Sequence, residues 1–383
     1  MRAALICIAH DDEGPVEVAG RSLALRQLDF AQASACERII ILGNGAATEA
    51  IALRQAAERR GLKVSAIGNP RGLAGLLSPS DDLLVMQSRL LPASPDMPTA
   101  MAGDPGILIL PGDLARPGGF ERIDLQRAWG GAMVLPAGLI DRLQELDEDF
   151  DAPSTLLRLA LQYGVREKPM PVESYEAGTW AVVTADKAAD YSRDWLARSI
   201  APVSAYMPSR WLSRLGVKGA ASRLVEHDKS PVAIATIAVL ATIGSIIAAY
   251  DGHFAVGFAG TGVAVLFAHA AAQGRRLLTA PFGKDGRFGM LTILPDLALL
   301  AISVMAIEGE WYRQAFAPLI LFTILRLLPF GGKRGWMRIL RDRVVIAVGL
   351  SLAALFGVLE QAVMAAALLA LLPNLRIRAE NRG

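Results

Sequence analysis

The chain of 383 residues has few charged residues, few histidines and only two cysteines. Charged residues make up 20% and hydrophobic residues 53%, above the roughly 45–50% usual for soluble globular proteins, so an intrinsically disordered chain is excluded. Because Cys7 and Cys36 are the only cysteines, a disulfide scaffold is excluded, and both are expected to be free thiols of a reducing compartment. The four histidines do not have the spacing of a zinc site.

Several catalytic signatures are also absent from the sequence. It contains no G-x-S-x-G turn, no Walker A loop and no Cys–His arrangement. The first ten residues are mostly apolar, but acidic residues follow at once without a signal-peptide cleavage pattern. The N-terminal half is therefore expected to stay in the cytosol.

Charge and hydropathy divide the chain into two halves. Residues 1–228 carry 24 Lys and Arg against 29 Asp and Glu, whereas residues 229–383 carry 15 against 8. The acidic first half disfavours nucleic acid as a partner. The basic second half contains five apolar blocks, the first of them 20 residues without a charge, which is enough to cross a hydrocarbon core of about 30 Å as a helix. These blocks are residues 231–250, 253–272, 290–307, 315–330 and 344–372.

The charges of the loops indicate six transmembrane spans. The last apolar block is too long for one span, and a turn near Gly357 divides it in two. The loops 273–289 and 331–343 and the tail after residue 372 are basic, and basic segments face the cytoplasm by the positive-inside rule. An even number of spans follows, with both termini on the cytoplasmic side of the cytoplasmic (inner) membrane.

Residues 189–230 connect the two halves. In this segment Trp195, Tyr206 and Trp211 are interleaved with basic residues, a composition typical of helices that lie in the headgroup layer of a membrane. We therefore predict interfacial connector helices here, with an ordinary pair of interdomain helices as the alternative.

The first half alternates short apolar runs with helical patterns. Strands are predicted at residues 3–9, 38–42, 63–67, 83–87 and 107–110, and helices at residues 22–35 and 49–60. This alternation predicts a mostly parallel sheet covered by helices, in which ligands bind at the carboxyl ends of strands. The loops that follow the first strand and residue 87 are therefore the places to look for a site.

Three segments resemble one family. VAGRSLALRQLDFAQASACERIIIL (residues 18–42) and TWAVVTADKAADYSRDWL (residues 179–196) are similar to its v-G-x-p-L and closing W-x-D-V-D-T-P-E-D-L regions, and SRLVEHDKSP (residues 222–231) is similar to its S-R…T-P-N segment. With the order of the parts, the chain resembles the bifunctional inositol-1-phosphate cytidylyltransferase and CDP-alcohol phosphatidyltransferase (di-inositol-phosphate-phosphate synthase) family. The resemblance implies a three-layer α/β nucleotidyltransferase-like domain over residues 1–188 and an all-α six-helix transmembrane domain of CDP-alcohol phosphatidyltransferase type over residues 231–376.

The first half departs from the family's motifs. The family has a glycine-rich loop after the first strand to hold a triphosphate, whereas this chain has Gly14 preceded by three acids at residues 11–13. Ser88 and Arg89 stand where the family places Gly-Asp to hold magnesium. Asp113 is then the remaining candidate metal ligand at a strand end of this half, and one carboxylate holds a metal weakly.

The second half departs in the same way. The family's D-G-x2-A-R-x8-G-x3-D-x3-D motif supplies four aspartates for two metals, but Ala271 and Ile293 replace aspartates here and only Asp296 remains. A carboxylate within a span costs about 2.5–3.5 kcal/mol on insertion scales, so Asp296 is a candidate functional residue. Because it lies near the last aspartate of the family's motif, it is a candidate metal ligand. The alternative is that it pairs with Lys284 or Arg287.

Basic residues at the cytoplasmic ends of the second and third spans are candidates for a phosphate head-group pocket. They are Arg275, Arg276, Lys284 and Arg287. The alternative is that these charges only fix topology and attract anionic lipid, at about 1 kcal/mol per residue. Arg326 and Glu360 lie nearer to span ends and are expected to extend toward the membrane surface.

Three functions stay open from the sequence. The favoured one is a catalytically degenerate relative of the family that binds an anionic lipid or a nucleotide-linked head group, or scaffolds lipid synthesis. The second is an active CDP-alcohol phosphatidyltransferase or nucleotidyltransferase with a rearranged metal site on Asp296 and Asp113. Of the three functions, only this one would require Mg²⁺. The third is an unrelated transport component. The expected partners are membrane lipid and a nucleotide or CDP-alcohol, with no nucleic acid, and a homodimer stays open.

Overall fold

The computed structural model describes residues 1–8, 14–140, 151–199, 206–219, 230–282, 290–327 and 335–380. The chain forms two compact units. The first comprises residues 1–196 and 279–282, and the second comprises residues 197–278 and 283–383.

The first unit is built on a seven-stranded sheet. Its strands are β1 (Arg2–Cys7), β2 (Glu17–Val18), β3 (Arg21–Ser22), β4 (Arg38–Leu42), β5 (Lys63–Ile67), β6 (Asp82–Met86), β7 (Leu90–Pro92), β8 (Gly106–Pro111), β9 (Arg127–Pro136), β10 (Glu167–Pro169) and β11 (Trp180–Val182). The order in the main sheet is β10-β8-β9-β6-β1-β4-β5, while β2 pairs with β3 and β7 with β11. Strands β6, β1, β4 and β5 are parallel to their neighbours in that order.

The sheet is mixed, and four of its six strand pairings are parallel, in agreement with the mostly parallel sheet that the sequence predicts. Strand β9 runs antiparallel to both β6 and β8. Its residues are buried along almost the whole strand, but Gly130 and Gly131 interrupt the apolar run that marks the other buried strands in the sequence. The pattern therefore does not reveal this strand.

Helices cover both faces of the sheet. They are α1 (Leu23–Ala33), α2 (Thr48–Arg59), α3 (Met97–Ala100), α4 (Gly112–Gly118), α5 (Ala152–Gln162), α6 (Val172–Glu176) and α7 (Ala188–Ser199). Leu28 of α1 and Leu53 of α2 are buried in the core on one face, and Leu156 of α5 is buried in the core on the other. The Ser22 hydroxyl begins α1 by accepting a hydrogen bond from the Leu25 N–H. The unit therefore has three layers.

The second unit is entirely helical where it is described. Its helices are α8 (Pro208–Gly219), α9 (Ser230–Tyr250), α10 (Phe254–Thr279), α11 (Ile293–Ala306), α12 (Trp311–Leu327), α13 (Arg343–Leu355) and α14 (Leu359–Glu380). Helices α9 to α14 occupy the six apolar segments of the sequence, and Gly357, with φ of 70°, lies at the turn between α13 and α14. By length and composition, α9 and α10 are able to cross a membrane, and α11, α13 and the segment 359–371 of α14 are shorter apolar helices.

Candidate functional site

A cavity of about 240 Å³ lies at the carboxyl end of β1 in the first unit. We call it the strand-end cavity. Its walls come from the end of β1, the segment before β2, the starts of α1 and α2, and the turn after β6. The lining residues are Cys7, Ile8, Gly14, Pro15, Val16, Leu23, Ala24, Gln27, Ala47, Thr48, Glu49 and Arg89. The two loops indicated by the sequence therefore contribute to one cavity.

The strand-end cavity has walls of opposite charge. Arg89 lies in the left-handed backbone region, with φ of 63°, in the turn between β6 and β7. Gln27 is buried and donates its amide hydrogens to the carbonyl oxygens of Gln87 and Leu90, which fixes that turn against α1. On the other wall, burial raises the pKa of Glu49, although hydrogen bonds from Ser22 and Ala24 oppose the shift.

The acidic candidates of the first half do not converge on this cavity among the described residues. Asp113 is exposed at the start of α4, after β8, and does not belong to the lining of the strand-end cavity. Residues 11–13 lie outside the described part of the chain. Where the structure describes the chain, the only acidic side chain that lines the cavity is Glu49.

The second unit contains a buried ion-pair network around Asp296. This residue lies in the first turn of α11 and is 3% exposed. Arg326 of α12 places Nε 3.0 Å from Oδ2 of Asp296. Arg343, at the start of α13, donates through Nε to Oδ1 at 3.2 Å and through Nη2 to Oδ2 at 3.4 Å. Both oxygens of the carboxylate are therefore engaged by guanidinium groups.

A cavity of about 290 Å³ opens beside this network. We call it the Asp296 cavity. Its lining residues are Arg210, Val265, Ala268, His269, Thr292, Pro295, Asp296, Leu325, Arg326 and Arg343. Three arginines thus face one carboxylate, which gives the lining a net positive charge. The pKa of Arg210 is lowered, first by partial burial and then by the positive charges of Arg343 and Arg276. The negative charge of Asp342 opposes this shift.

Hydrogen bonds to backbone and side chains hold these arginines in place. Arg343 also donates through Nη2 to the carbonyl oxygen of Leu325 at 3.0 Å. Asp342 accepts hydrogen bonds from the N–H and the hydroxyl of Ser209, at 3.0 and 2.7 Å, and thereby fixes the start of α8. Since Arg210 follows Ser209, this contact sets the position of the third arginine of the cavity.

Among the described residues, the basic residues that line the cavity are not those that the sequence singled out. Arg275 and Arg276 lie near the end of α10; Arg276 is close enough to act on Arg210, and neither lines the cavity. Lys284 and Arg287 lie outside the described residues. In the described part of the chain, Asp296 pairs with Arg326 and Arg343.

The expectation that Arg326 extends toward the membrane surface is corrected by its contact with Asp296, whereas the same expectation for Glu360 stays a prediction. Arg326 turns inward to the Asp296 carboxylate, and Glu360 accepts an ion pair from Arg313 at 3.1 Å. A guanidinium group that points inward is stabilised by its counter-ion. The position of Arg326 near the end of a span does not reveal that such a counter-ion is present. Arg343 belongs to the basic loop that sets the predicted topology, but neither it nor His269 is predicted to line a cavity, because contacts between helices depend on how the helices pack.

The N-terminal half is a three-layer α/β unit with a mixed seven-stranded sheet, followed by an all-α region. It is similar to the crystal structure of 4-diphosphocytidyl-2C-methyl-D-erythritol synthase, with 16% identity and a TM-score of 0.36 over 50% of this chain and 97% of that chain. It is also similar to a structure described as a glucose-1-phosphate thymidylyltransferase from Bacillus anthracis in complex with a sucrose, with 12% identity and a TM-score of 0.36 over 50% of this chain and 95% of that chain. No protein-family model and no curated protein matches the sequence.

Proposed function

We propose that this chain is a membrane protein whose helical unit binds a phosphate-containing head group in the Asp296 cavity without metal-dependent transfer. The observation that carries the proposal is the cavity of about 290 Å³ whose described lining includes Arg210, Arg326 and Arg343 against one carboxylate, that of Asp296. Guanidinium groups recognise phosphate through forked, charge-assisted hydrogen bonds. With three positive charges against one, the cavity favours an anion.

The residues present do not fit a magnesium site. Mg²⁺ requires near-octahedral oxygen ligands, and a two-metal transferase site needs several carboxylates between its ions. In the part of the chain that the structure describes, no group of three or more His, Cys, Asp and Glu side chains is placed to hold a metal. Both oxygens of Asp296 already contact arginines, so a metal there would have to displace two guanidinium groups.

The surface of α8 supports a position in the membrane headgroup layer. Ser209, Ser213 and Val217 are buried on one face of α8, whereas Trp211, Leu212 and Leu215 are exposed. Arg210, Arg214 and Lys218 follow one another at four-residue spacing and share a third face. An exposed apolar face beside a basic stripe suits a helix that lies on an anionic bilayer. We therefore retain α8 as an interfacial helix within the segment 189–230, and residues 231–376 as six spans with both termini cytoplasmic. Trp195 of α7, in contrast, is 5% exposed and packs in the first unit, which corrects the expectation for that residue.

Phosphate binding by the purified full-length protein in detergent tests this function. Inorganic phosphate and dihexanoyl phosphatidic acid are titrated separately, since the first probes the phosphate group alone and the second the lipid source. Arg343→Gln removes one of the three arginines that line the cavity. The control is Arg313→Gln, because Arg313 is 64% exposed and pairs with Glu360.

We expect Arg343→Gln to weaken binding at least about tenfold, because a charge-assisted hydrogen bond contributes roughly 1.5–3 kcal/mol. Arg313→Gln should bind as the unmodified protein does. A preference for the lipid would assign the cavity to a membrane-bound head group, and equal affinities would assign it to a soluble phosphate compound. Absence of binding, or equal losses in both variants, would contradict the proposal.

A further inference from the structure

We propose that Asp296 is a built-in competitor for the anion: it occupies the guanidinium groups of Arg326 and Arg343 while the cavity is empty and weakens anion binding. This inference rests on the proposed function, since it describes how the same cavity is regulated. It assigns Asp296 the role of an internal counter-ion, and it predicts that removal of the charge strengthens binding.

The geometry places the carboxylate where an anion would bind. Asp296 contributes from α11, Arg326 from α12 and Arg343 from α13, so groups from three helices meet at one carboxylate. All three residues line the same cavity. A phosphate that enters the cavity therefore meets guanidinium groups whose Nε atoms already lie 3.0 and 3.2 Å from carboxylate oxygens.

The arginines keep unused donor capacity for a larger anion. A guanidinium group has five N–H donors. In Arg326, Nη2 is buried and has no hydrogen-bond partner among the described residues, and Nε contacts Asp296 as an ion pair without the alignment of a hydrogen bond. A buried donor without a partner costs free energy, and the oxygens of a phosphate group would satisfy it. The carboxylate thus neutralises the site without saturating it.

The charge of Asp296 also repels the anion that the arginines attract. The four ionisable side chains of the lining that carry fixed charge are Arg210, Arg326, Arg343 and Asp296. Removing the carboxylate charge raises the net charge of this set by one unit and frees donors at the same time. An asparagine keeps the shape and one acceptor oxygen, so the arginines remain oriented in Asp296→Asn.

Titration of inorganic phosphate into the full-length protein in detergent compares three forms. These are the unmodified protein, Asp296→Asn and the control Glu360→Gln, which removes a carboxylate paired with Arg313. We expect Asp296→Asn to bind phosphate about tenfold more tightly, because a nearby like charge is removed from a partly screened site. Glu360→Gln should leave the affinity unchanged.

A second variant keeps the inference testable if Asp296→Asn does not fold. In Asp296→Ala the position of the carboxylate is vacated, so added formate should compete with phosphate, whereas formate should not affect the unmodified protein. Suppose that the unmodified protein binds phosphate. The inference is then overturned, and the proposed function still stands, if Asp296→Asn binds phosphate no more tightly or if formate does not compete with phosphate in Asp296→Ala. Absence of phosphate binding in every form overturns both.

Discussion

Arg343 and Asp296, which are 47 positions apart in the chain, form a two-point ion pair with distances of 3.2 and 3.4 Å between guanidinium nitrogens and carboxylate oxygens. The residue before Arg343 has a separate role. Asp342 caps α13 by accepting hydrogen bonds from the N–H groups of Val344 and Val345, and its other oxygen accepts from Ser209. Two adjacent side chains therefore tie α13 to α11 and to α8.

The Asp342 contacts predict a measurable contribution to stability. Asp342→Ala should lower the free energy of unfolding by about 1–2 kcal/mol, because an N-cap and charge-assisted hydrogen bonds are lost together. Asp342→Asn should lower it less, since its single acceptor oxygen replaces one of the two. Thermal unfolding in detergent measures both, with Asp190→Ala as an exposed control. Equal thermal unfolding midpoints for Asp342→Ala and Asp190→Ala would show that the Asp342 contacts do not stabilise the fold.

Close packing of α9 against α10 predicts opposite effects at two glycines. A Cβ atom added at Gly257 would lie 2.9 Å from the carbonyl oxygen of Ser245, whereas one added at Gly244 meets no atom within 4 Å. Gly257→Ala should therefore destabilise the helical unit, and Gly244→Ala should be neutral or stabilising by up to about 1 kcal/mol, because alanine favours a helix. The two thermal midpoints should move apart. A shared direction of change would contradict this packing.

The sequence predicts the secondary-structure elements more accurately than the contacts between side chains of different helices. The strands at residues 38–42 and 63–67 and the turn near Gly357 are found as predicted, because each is marked by local apolar pattern or by glycine. Strand β9 is not predicted, since Gly130 and Gly131 interrupt its apolar run. The arginines of the Asp296 cavity could not be assigned from spacing: Arg210, Arg326 and Arg343 come from three segments, and their convergence depends on helix packing.

The two cysteines should be inert in the folded protein. Burial raises the pKa of Cys7 to about 12, with a further increase from the charge of Asp151, and burial raises the pKa of Cys36 to about 12 against the opposing charge of Arg2. A raised thiol pKa keeps the neutral form up to high pH, so thiolate is less than about one part in a thousand at pH 8.

Iodoacetamide labelling checks this expectation. At pH 8 the folded protein should react slowly, and denaturation should expose both thiols. In the control Ser80→Cys, the added cysteine occupies an exposed position and should label at the rate of a free thiol. Labelling of Cys7 or Cys36 in the folded protein at the rate of the added cysteine would rule out this description of their environment.

The strand-end cavity predicts weak binding of CTP. Its lining contains Arg89 as a cation and Glu49 as an opposing carboxylate, and Asp113 lies outside it. A triphosphate carries several negative charges, which one arginine cannot balance. Calorimetric titration of the full-length protein with CTP and magnesium should show no saturable binding at micromolar concentrations. Asp113→Ala should match Asp96→Ala, an exposed control. Micromolar affinity abolished by Asp113→Ala alone would require a metal site in this unit.

The most direct test of the central claim is the dependence of the helical unit on magnesium. Full-length protein in detergent is titrated with inorganic phosphate in EDTA and in millimolar Mg²⁺, and parallel samples are assayed for release of CMP from CDP-diacylglycerol with a soluble phosphorylated alcohol as acceptor. Because Asp296 is engaged by Arg326 and Arg343, we expect the same phosphate affinity in both media and no release of CMP. Magnesium-dependent release of CMP that is lost in Asp296→Asn would contradict it and identify an active transferase.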